Sequence, residues 1–315
     1  MGFSGKVLVT GGAGFIGSHV VDGLVATGFD VRVVDDLSTG SLDNIRGHLL
    51  SGTVDFVEGD LRDSEVTGKC VHGVDAVVHL AAVTSVPFSV ANPDVTFEKN
   101  VGATRGLLAA CVEQNVGRFV FVSSCAVYGV PCYLPVDEKH PTRPVSPYAV
   151  SKLMGEQSCE SVQKESKLKT VVLRLFNVYG PRQRAGGEGG VVAEWVNRAK
   201  KGLPLIVFGD GSQTRDFVHV LDVADAVLTV LKDESVDGEV FNVGFGRATS
   251  LNELAKIVLH FAGRDLGIVY QEQREGDVPA SFADISKASE AFGFKPRVPL
   301  EEGLKPLLCG PESFE

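Results

Sequence analysis

The sequence has little of what membrane or nucleic-acid-binding proteins need. Its 315 residues include one tryptophan and two methionines, and no apolar run approaches the roughly 18 residues that cross a membrane. Lysine and arginine number 30 against 40 aspartates and glutamates, which gives a formal net charge of −10. Because nucleic acids and anionic membranes attract basic surfaces, this charge disfavours both as partners. An anionic small molecule stays compatible with it, since a pocket can be locally basic.

Cysteines are few, and they lack the spacing of a metal site or a redox pair. The six are Cys70, Cys111, Cys125, Cys132, Cys159 and Cys309. No CxxC occurs among them, so we expect reduced thiols and no bound metal. The first residues, MGFSGKVLVTGG, pass directly into a strand pattern without the layout of a signal peptide, and we therefore expect a cytoplasmic protein.

What is present is an alternation of short apolar runs with longer amphipathic stretches. The predicted strands are Lys6–Thr10, Asp30–Val34, Val54–Val57, Ala76–Leu80, Phe119–Ser123 and Thr170–Phe176, and the predicted helices include Phe15–Thr27, Pro93–Gln114 and Pro147–Glu165. The strands are apolar almost throughout, which is typical of a parallel sheet covered on both faces. The order predicts an α/β fold with a doubly wound parallel sheet. The alternation of strand and helix patterns changes after residue 176. A second, smaller domain is predicted there, without a sharp boundary.

A glycine-rich turn, TGGAGFIG, joins the first strand to the first helix. A tight turn needs Gly11, close approach to a pyrophosphate needs Gly14, and helix–strand packing needs Gly17. An ordinary βα turn also fits a lone glycine pattern, but here Asp35 ends the second strand. Its carboxylate can accept a hydrogen bond from a ribose hydroxyl and repels a 2′-phosphate, so the motif predicts NAD in preference to NADP.

Tyr148 and Lys152 lie four residues apart in PYAVSK and share one face of a predicted helix. A nearby ammonium and a nicotinamide cation both favour the phenolate, which lowers the tyrosine pKa. Such a pair can take a proton from a sugar hydroxyl while hydride leaves for NAD. Ser123 and Ser124 end a strand at the edge where ligands bind, and a serine there can share the proton. Alone, the pair also fits an exposed helical face.

Basic residues near the end of the chain could bind phosphates. Arg215 lies in TRDFVH, and Arg274 precedes Asp277 in REGD. Guanidinium groups match phosphate geometry, and a nearby acid can bind a ribose diol. A surface salt bridge is the alternative for either arginine. His79 lies at the end of a predicted strand, where a buried, hydrogen-bonded histidine is favoured over a catalytic one.

Together these segments resemble the extended short-chain dehydrogenase/reductase family. The resemblance runs from residue 5 to about residue 305 and is carried by TGGAGFIG, HLAA, SSCAVYG, SPYAVSK, LRLFNVYGPRQ, RDFVHVLDVADA and REGDVPASFADISKA. Within that family the chain is most similar to UDP-hexose 4-epimerases of the UDP-galactose 4-epimerase type. The resemblance implies a Rossmann NAD-binding domain over residues 1–176 and a mainly nucleotide-sugar-binding domain over residues 177–315, to which some later segments need not belong.

The resemblance also implies roles for individual residues. Ser124, Tyr148 and Lys152 become the catalytic set. The cofactor-binding set is Gly11, Gly14, Phe15, Ile16, Gly17, Asp35, Asp60, Leu61, Leu80, Ala81, Ala82, Asn100, Ser123, Tyr148, Lys152 and Phe176. The substrate-binding set is Thr84, Ser85, Ser124, Asn177, Val192, Phe208, Arg215, Arg274, Asp277 and Ser281. Asp60 and Leu61 also fit a helix cap, and the helices that contain Asn100 and Tyr148 would pair across a homodimer.

Several reactions remain open within this family. Related sugar 4,6-dehydratases carry an Asp-Glu pair where this chain has Cys125 and Ala126, so dehydration is disfavoured. The leading interpretation is C4 epimerisation of a UDP-hexose through a 4-keto sugar. UDP-glucuronate decarboxylation, 4-keto reduction and a non-catalytic NAD-binding sensor are the alternatives. The resemblance implies that position 281 borders the C2 substituent of the sugar, and the small side chain of Ser281, with Thr84 and Ser85 nearby, then predicts room for an N-acetyl group. The alternative is that Phe88 or Tyr179 fills this space.

Overall fold

A parallel sheet of seven strands forms the centre of the computed structural model, which describes residues 5–186, 190–273 and 276–309. The strands are β1 (Lys6–Thr10), β2 (Asp30–Asp35), β3 (Val54–Glu58), β4 (Ala76–His79), β5 (Arg118–Ser124), β6 (Lys169–Leu175), β7 (Asn177–Tyr179), β8 (Leu205–Phe208), β9 (Thr214–Arg215), β10 (Phe217–His219), β11 (Val240–Val243), β12 (Thr249–Ser250) and β13 (Ile268–Gln271). The helices are α1 (Phe15–Ala26), α2 (Arg46–Ser51), α3 (Ser64–Val71), α4 (Val86–Ala91), α5 (Pro93–Phe97), α6 (Ala103–Glu113), α7 (Pro147–Glu165), α8 (Gly190–Lys200), α9 (Val220–Lys232), α10 (Leu251–Ala262), α11 (Ser286–Phe292) and α12 (Leu300–Cys309).

The strand order in the central sheet is β11-β6-β5-β4-β1-β2-β3, with every pair parallel. The order reverses between β1 and β4, and the loops that leave these two strands open a crevice at their carboxyl ends, where ligands bind in such sheets. The predicted doubly wound fold is confirmed, and each of the six predicted strands ends within one residue of an observed strand.

The sheet is covered on both faces because neighbouring residues of each strand point to opposite sides. Val7 and Val9 of β1 pack in a cluster with side chains of α1 and α9. Leu8, between them, packs in a second cluster with side chains of α3 and α6. All three residues are fully buried, so the apolar runs that predicted a covered sheet do lie in a two-sided core.

Two segments beyond residue 176 return to the central sheet. Strand β11 pairs with β6 at its edge, and α9 packs against α1. Helices α8, α10 and α12 instead surround a separate core cluster that includes Trp195, which is 1% exposed. The division into domains at residue 176 stays a prediction, and the later half of the chain contributes to both regions.

The predicted helix Pro93–Gln114 is interrupted, which corrects the sequence interpretation. A π turn over Glu98–Gly102 separates α5 from α6. Such single wide turns inside helices occur frequently at functional sites, and Asn100 lies within this one. No helix in the described ranges is long and apolar enough to cross a membrane.

Candidate functional site

The glycine turn lies at the carboxyl end of β1, at the point where the strand order reverses. The backbone of Gly11 has φ +68°, and its N–H donates to the Val34 carbonyl oxygen over 2.8 Å. A Cβ at Gly17 would lie only 2.1 Å from the Gly11 carbonyl oxygen. The start of α1 can therefore pack this closely against the turn only with glycine at position 17.

Helix α1 begins at Phe15 with Gly14 as its N-cap, and no side chain caps its first turn. The early N–H groups of a helix have no partner within the helix, so those of Phe15, Ile16 and Gly17 are directed toward whatever lies before it. A diphosphate is the ligand that such a helix start favours, because the N–H groups and the helix dipole both attract negative charge. The cradle fits the diphosphate of a dinucleotide.

Asp35 ends β2 beside this cradle and is 7% exposed. Its Oδ2 accepts a hydrogen bond from the Ala13 N–H over 3.0 Å, and its Oδ1 accepts one from the Leu37 N–H over 2.9 Å. Burial raises the carboxyl pKa above its ordinary value, and these two bonds oppose the rise. A carboxylate has about four acceptor positions, so Asp35 keeps capacity for a ribose hydroxyl.

Asp60 and Leu61 follow β3 at the side of an open groove of about 880 Å³ between α3 and α6. Asp60 forms an ion pair with Arg62, with 2.7 Å between Oδ2 and Nη2, and this pair holds the Asp60 pKa below its usual value. The carboxylate of Asp60 is thus ionised and held in place. Leu61 is buried, and its carbonyl oxygen accepts a hydrogen bond from the Thr67 hydroxyl.

The segment after β4 is held to β1 by main-chain groups. The N–H groups of Leu80 and Ala81 donate to Thr10 Oγ1 over 3.2 and 3.1 Å, and Leu80, Ala81 and Ala82 are all half-buried. Thr84 is exposed beyond them. Ser85 is buried and accepts a hydrogen bond from the Phe88 N–H as the N-cap of α4, which uses the oxygen predicted to meet substrate.

Asn100 supports this segment from the π turn. Its Oδ1 accepts from the Val83 N–H over 2.7 Å, and its Nδ2 donates to the Val83 carbonyl and to Ser151 Oγ, each over 2.9 Å. The carboxamide is thereby fully engaged within the protein. The predicted effect of Asn100 on the cofactor would therefore be exerted through the segment around Val83, which Asn100 holds in place.

Ser123 and Ser124 diverge at the end of β5, as successive residues of a strand must. Ser123 is buried, and its hydroxyl donates to Glu156 on α7. The Ser123 hydroxyl proton is therefore used within the protein. Ser124 is half-buried on the other side, and its hydroxyl acts to lower the pKa of Tyr148.

Tyr148 and Lys152 lie one turn apart near the start of α7, which Ser146 caps by accepting the Ala149 N–H. Lys152 is buried, and its Nζ donates to the Val122 carbonyl oxygen over 2.9 Å. Burial lowers the pKa of Lys152 to about 8, so the ammonium is charged at neutral pH. Burial raises the pKa of Tyr148 to about 12, and the Ser124 hydroxyl opposes this rise. The sequence predicted a lowered tyrosine pKa. In the structure, the cost of burying the phenolate is the larger effect, and the pKa is raised instead.

His79 ends β4 and is structural, as predicted. It is 1% exposed, and its two ring nitrogens lie 2.7 Å from Thr10 Oγ1 and 2.8 Å from Thr104 Oγ1. Burial lowers its pKa to about 3, so the ring is neutral near pH 7. A neutral ring with both nitrogens engaged links β1, β4 and α6 and takes no part in proton transfer.

Arg215 and Asp277, both predicted to contact substrate, lie together as an ion pair. Arg215 also donates to the Val278 carbonyl over 2.6 Å, and the Gln213 amide lies 3.3 Å from Asp277 Oδ2. Ser281 is adjacent, since its N–H donates to the Thr214 carbonyl over 3.2 Å. Three of the predicted substrate residues are thus clustered, while Arg274 lies outside the described residues.

The other predicted residues lie in different surroundings. Phe176 is buried in a small apolar cluster with Val127, Tyr128, Val136 and Ala283. Asn177 begins β7 with an exposed side chain, and Phe208 is half-buried at the end of β8. Val192 is 3% exposed in the core around Trp195, which leaves little of its surface for a uracil ring.

Sequence reasoning missed three buried charges. Glu156 and Arg174 form an ion pair beneath the carboxyl end of β5, and Asp216 accepts three main-chain N–H groups next to Arg215. The signals were a carboxylate four residues after Lys152, and the charged residues Arg174 and Asp216 in or beside the apolar stretches of LRLF and RDFVHV. A charged residue within an otherwise buried run needs a partner. Such a residue therefore predicts a buried ion pair or a group of hydrogen bonds at that place.

Arg182 and Arg184 lie in the segment after β7. Arg182 forms an ion pair with Asp22 of α1, with 2.8 Å between Nη1 and Oδ2. Arg184 donates to the Thr39 carbonyl in the loop after β2. Both tie this segment to the region of α1 and β2.

Comparison with known proteins gives consistent matches along the chain. A profile of the NAD dependent epimerase/dehydratase family matches residues 7–244. The chain is 42% identical over 301 residues to a putative UDP-glucose 4-epimerase of Methanocaldococcus jannaschii, with 95% of this chain and 96% of that protein covered. UDP-glucose 4-epimerase of Thermotoga maritima, solved with UDP-glucose, superposes with a TM-score of 0.91 at 41% identity and covers 96% of this chain and 97% of its own.

A second solved structure is equally similar in fold. UDP-N-acetylglucosamine 4-epimerase of Methanobrevibacter ruminantium, in complex with UDP-N-acetylmuramic acid, has a TM-score of 0.91 at 36% identity over 97% of both chains. The family description names both epimerases and dehydratases, so membership fixes the NAD cofactor and leaves the reaction to the residues of the site. On the profile match and the full-length identity, this chain belongs to the NAD-dependent epimerase/dehydratase family.

Proposed function

We propose that this chain is an NAD-dependent epimerase that inverts C4 of a UDP-hexose, interconverting UDP-glucose and UDP-galactose through a 4-keto sugar. The observation that carries the proposal is the placement of Ser124, at the carboxyl end of β5, beside Tyr148, with Lys152 one helical turn further along α7. The similar enzymes named UDP-glucose 4-epimerase support the same reaction.

The cofactor half of the site is assigned to the glycine turn and its neighbours. We assign the diphosphate to the start of α1, the adenosine ribose to Asp35, and the adenine to the region of Asp60 and Leu61. The loop from Leu80 to Ala82 and the Lys152 ammonium remain for the nicotinamide riboside. When bound, NAD supplies the acceptor and donor of the hydride at C4.

Tyr148 and Ser124 handle the proton of the C4 hydroxyl in this proposal. Tyr148 acts as the base and later as the acid, and Ser124 shares the proton. Because burial favours the neutral phenol, deprotonation needs positive charge close to the ring. Lys152 is charged at neutral pH and lies one turn away on the same helix, so it contributes part of that charge.

The residues after Ser124 argue against dehydration. Elimination of water needs an acid and a base there, and this chain has Cys125 and Ala126. Burial raises the pKa of Cys125 to about 12, so its thiol stays neutral and cannot act as a base near pH 7. Ala126 has no titratable group. Decarboxylation and 4-keto reduction are separated from epimerisation by their products. A non-catalytic NAD sensor has no use for the Tyr148–Ser124 pair.

We assign the nucleotide half of the substrate to Arg215 and Asp277. Their ion pair presents a guanidinium suited to a diphosphate and a carboxylate suited to a ribose diol. Arg274 is predicted to join them. We further propose that an N-acetyl group at C2 is accepted beside Ser281, as the similar UDP-N-acetylglucosamine 4-epimerase suggests.

We also propose a homodimer that acts in the cytoplasm. Helices α4 and α5 pack against α7 and carry the exposed apolar side chains Phe88, Val90 and Val95, which favours a covered surface on this side. All six cysteines lie within the described residues and none is paired, as expected in a reducing compartment.

The central experiment compares Tyr148→Phe with wild type on UDP-galactose, with the products separated by chromatography. The variant should lose about 10²–10⁴-fold in turnover and still bind NAD, because it lacks only the phenolic hydroxyl. Tyr133→Phe is the control, since the Tyr133 hydroxyl donates to Asp137 on the surface. Near-wild-type epimerisation by Tyr148→Phe would contradict the assignment. Release of carbon dioxide or accumulation of NADH by wild type would instead identify one of the alternative reactions.

A further inference from the structure

Glu156 is a buried carboxylate on the same helix face as the proposed catalytic pair. Tyr148, Lys152 and Glu156 follow one another at intervals of four residues along α7, which places them on one side of the helix. Glu156 is 6% exposed. A buried charge without partners is strongly destabilising, so its partners indicate what it is held for.

Arg174 and Ser123 are those partners. The Arg174 guanidinium grips both carboxylate oxygens, with Nε 3.0 Å from Oε1 and Nη2 2.6 Å from Oε2. The Ser123 hydroxyl donates to Oε1 from the end of β5. Because Arg174 lies on β6, the carboxylate fixes α7 against two neighbouring strands.

The hydrogen bonds continue from Arg174 toward the substrate half. Arg174 Nη1 donates to the Tyr128 hydroxyl over 3.0 Å, and that hydroxyl donates to Asn242 Oδ1 over 2.7 Å. Asn242 Nδ2 donates to the Val136 carbonyl over 2.9 Å, and the same carbonyl accepts the Asp284 N–H. The chain of contacts thus reaches the segment that follows Ser281.

Lys152 is a second charge that Glu156 influences. Its ammonium is buried, donates to the Val122 carbonyl and lies 5.1 Å from the centre of the Phe121 ring. The charge of Glu156 favours the protonated form and so opposes the effect of burial on the Lys152 pKa. The titratable groups around this pair are Tyr148 and Cys159 on α7, His79 on β4, Arg174 on β6, Cys125 after β5 and Tyr128.

We propose that Glu156 is a positioning residue, whose charge keeps the buried Lys152 ammonium protonated and whose contacts hold α7 against β5 and β6. Its importance for turnover rests on the function proposed above, whereas its effect on the charge of Lys152 does not. Arg174 forms a buried ion pair with Glu156 and anchors it in the core. A purely structural ion pair would hold the strands without acting on Lys152.

The test measures the titration of Lys152 directly by NMR of ¹³C-labelled lysine side chains, with the Lys152 signal assigned from Lys152→Met. Glu156→Gln removes the charge and keeps the shape. The titration midpoint should fall by about one pH unit from the wild-type value, because an opposite charge close by typically shifts a buried group by 1–3 units. In the NAD-loaded enzyme the alkaline limit of kcat should move by the same amount, with KM nearly unchanged.

Arg174→Gln is the matched control, since it breaks the same ion pair but leaves the carboxylate. The Lys152 midpoint should not fall in this variant. Equal falls in both variants, or no fall in Glu156→Gln, would overturn the proposal. If Glu156→Gln does not fold, Glu156→Gln/Arg174→Met leaves no unpaired charge and is expected to show the fall. If wild type shows no epimerisation, the proposed function fails while the Lys152 titration still decides the role of Glu156.

Discussion

The carboxylate of Asp216 accepts a hydrogen bond from the main-chain N–H of Ala283 over 3.0 Å and so holds the segment that follows Ser281. The same carboxylate accepts the N–H groups of Phe245 and Gly246 over 2.6 and 2.9 Å. Asp216 is 0% exposed and lies next to Arg215 in the chain. Three separate segments thus meet on one buried charge beside the proposed substrate site.

Burial raises the pKa of Asp216 to about 6, against the three hydrogen bonds. In the unfolded chain the group titrates near 3.8. Between these values the folded state binds a proton that the unfolded state does not, so stability from this group is full below pH 4 and falls as the pH rises through 6. Relative to Asp216→Asn, wild type should lose about 3 kcal/mol of unfolding free energy over this window.

Urea unfolding of wild type and Asp216→Asn from acidic to neutral pH measures the difference, since all other groups titrate in both proteins. Asp210→Asn is the control, because Asp210 is exposed and its hydrogen bonds with Ser212 lower its pKa. Its contribution should have the opposite sign with pH. Parallel pH curves for wild type and Asp216→Asn would show that Asp216 titrates at its ordinary value.

Asp35→Ala tests the cofactor assignment. Removing a charge-assisted hydrogen bond to ribose costs roughly 1.5–3 kcal/mol, so the dissociation constant for NAD should rise about 10–100-fold while UDP affinity changes little. The preference for NAD over NADP should also shrink, because the charge that repels a 2′-phosphate is gone. Calorimetric titration with each ligand measures both effects.

Asp55→Ala is the control for this variant, since Asp55 lies in β3 and forms a surface ion pair with Arg32. It should change neither the affinity for NAD nor the preference for NAD over NADP. Equal losses of NAD and UDP affinity in Asp35→Ala, or an unchanged preference between the two dinucleotides, would contradict the placement of the ribose at Asp35.

The fold was predictable where periodicity and glycine dictate it. Continuous apolar runs predicted β1 to β6. The turn from Gly11 to Gly17 requires glycine at position 17, because a Cβ there would collide with the Gly11 carbonyl oxygen. The short strands β7 to β10, β12 and β13 have two to four residues each, which is too little for a period to show. The π turn within Pro93–Gln114 was also invisible, because helix periodicity does not reveal one added residue.

The site was predictable where motif and chemistry coincide, as for Tyr148 and Ser124. It was not predictable where the partner comes from a distant part of the chain. Asp216 depends on N–H groups from 29 to 67 residues away, and Arg174 meets Glu156 across 18. Ser123 and Ser124 look equivalent in sequence, and only the alternation of β5 separates the one that meets Glu156 from the one that meets Tyr148.

Ser281 lies at a constrained place beside the proposed substrate site. Its N–H donates to the Thr214 carbonyl over 3.2 Å, and Ala280 pairs with Thr214 in an isolated bridge. The backbone at position 281 is therefore held next to Arg215, while the side chain is half-buried. Phe88 and Tyr179 were the candidates for filling space near this serine. Tyr179 is fully buried against His219, and Phe88 is 42% exposed.

Ser281→Tyr should therefore separate acetylated from plain sugars. A small side chain leaves space for an acetamido group at C2 and offers a hydroxyl to bind it, whereas filling that space costs about 1–3 kcal/mol or more. We expect wild type to act on both UDP-N-acetylglucosamine and UDP-glucose, and Ser281→Tyr to lose kcat/KM for the acetylated substrate by at least about 5–100-fold more than for the plain one. Ser281→Ala keeps the space and removes the hydroxyl, so it should retain most activity on both. The measurement is the ratio of kcat/KM for the two substrates in all three proteins. Wild type without activity on the acetylated sugar, or a parallel fall on both substrates in Ser281→Tyr, would show that position 281 does not border the C2 group.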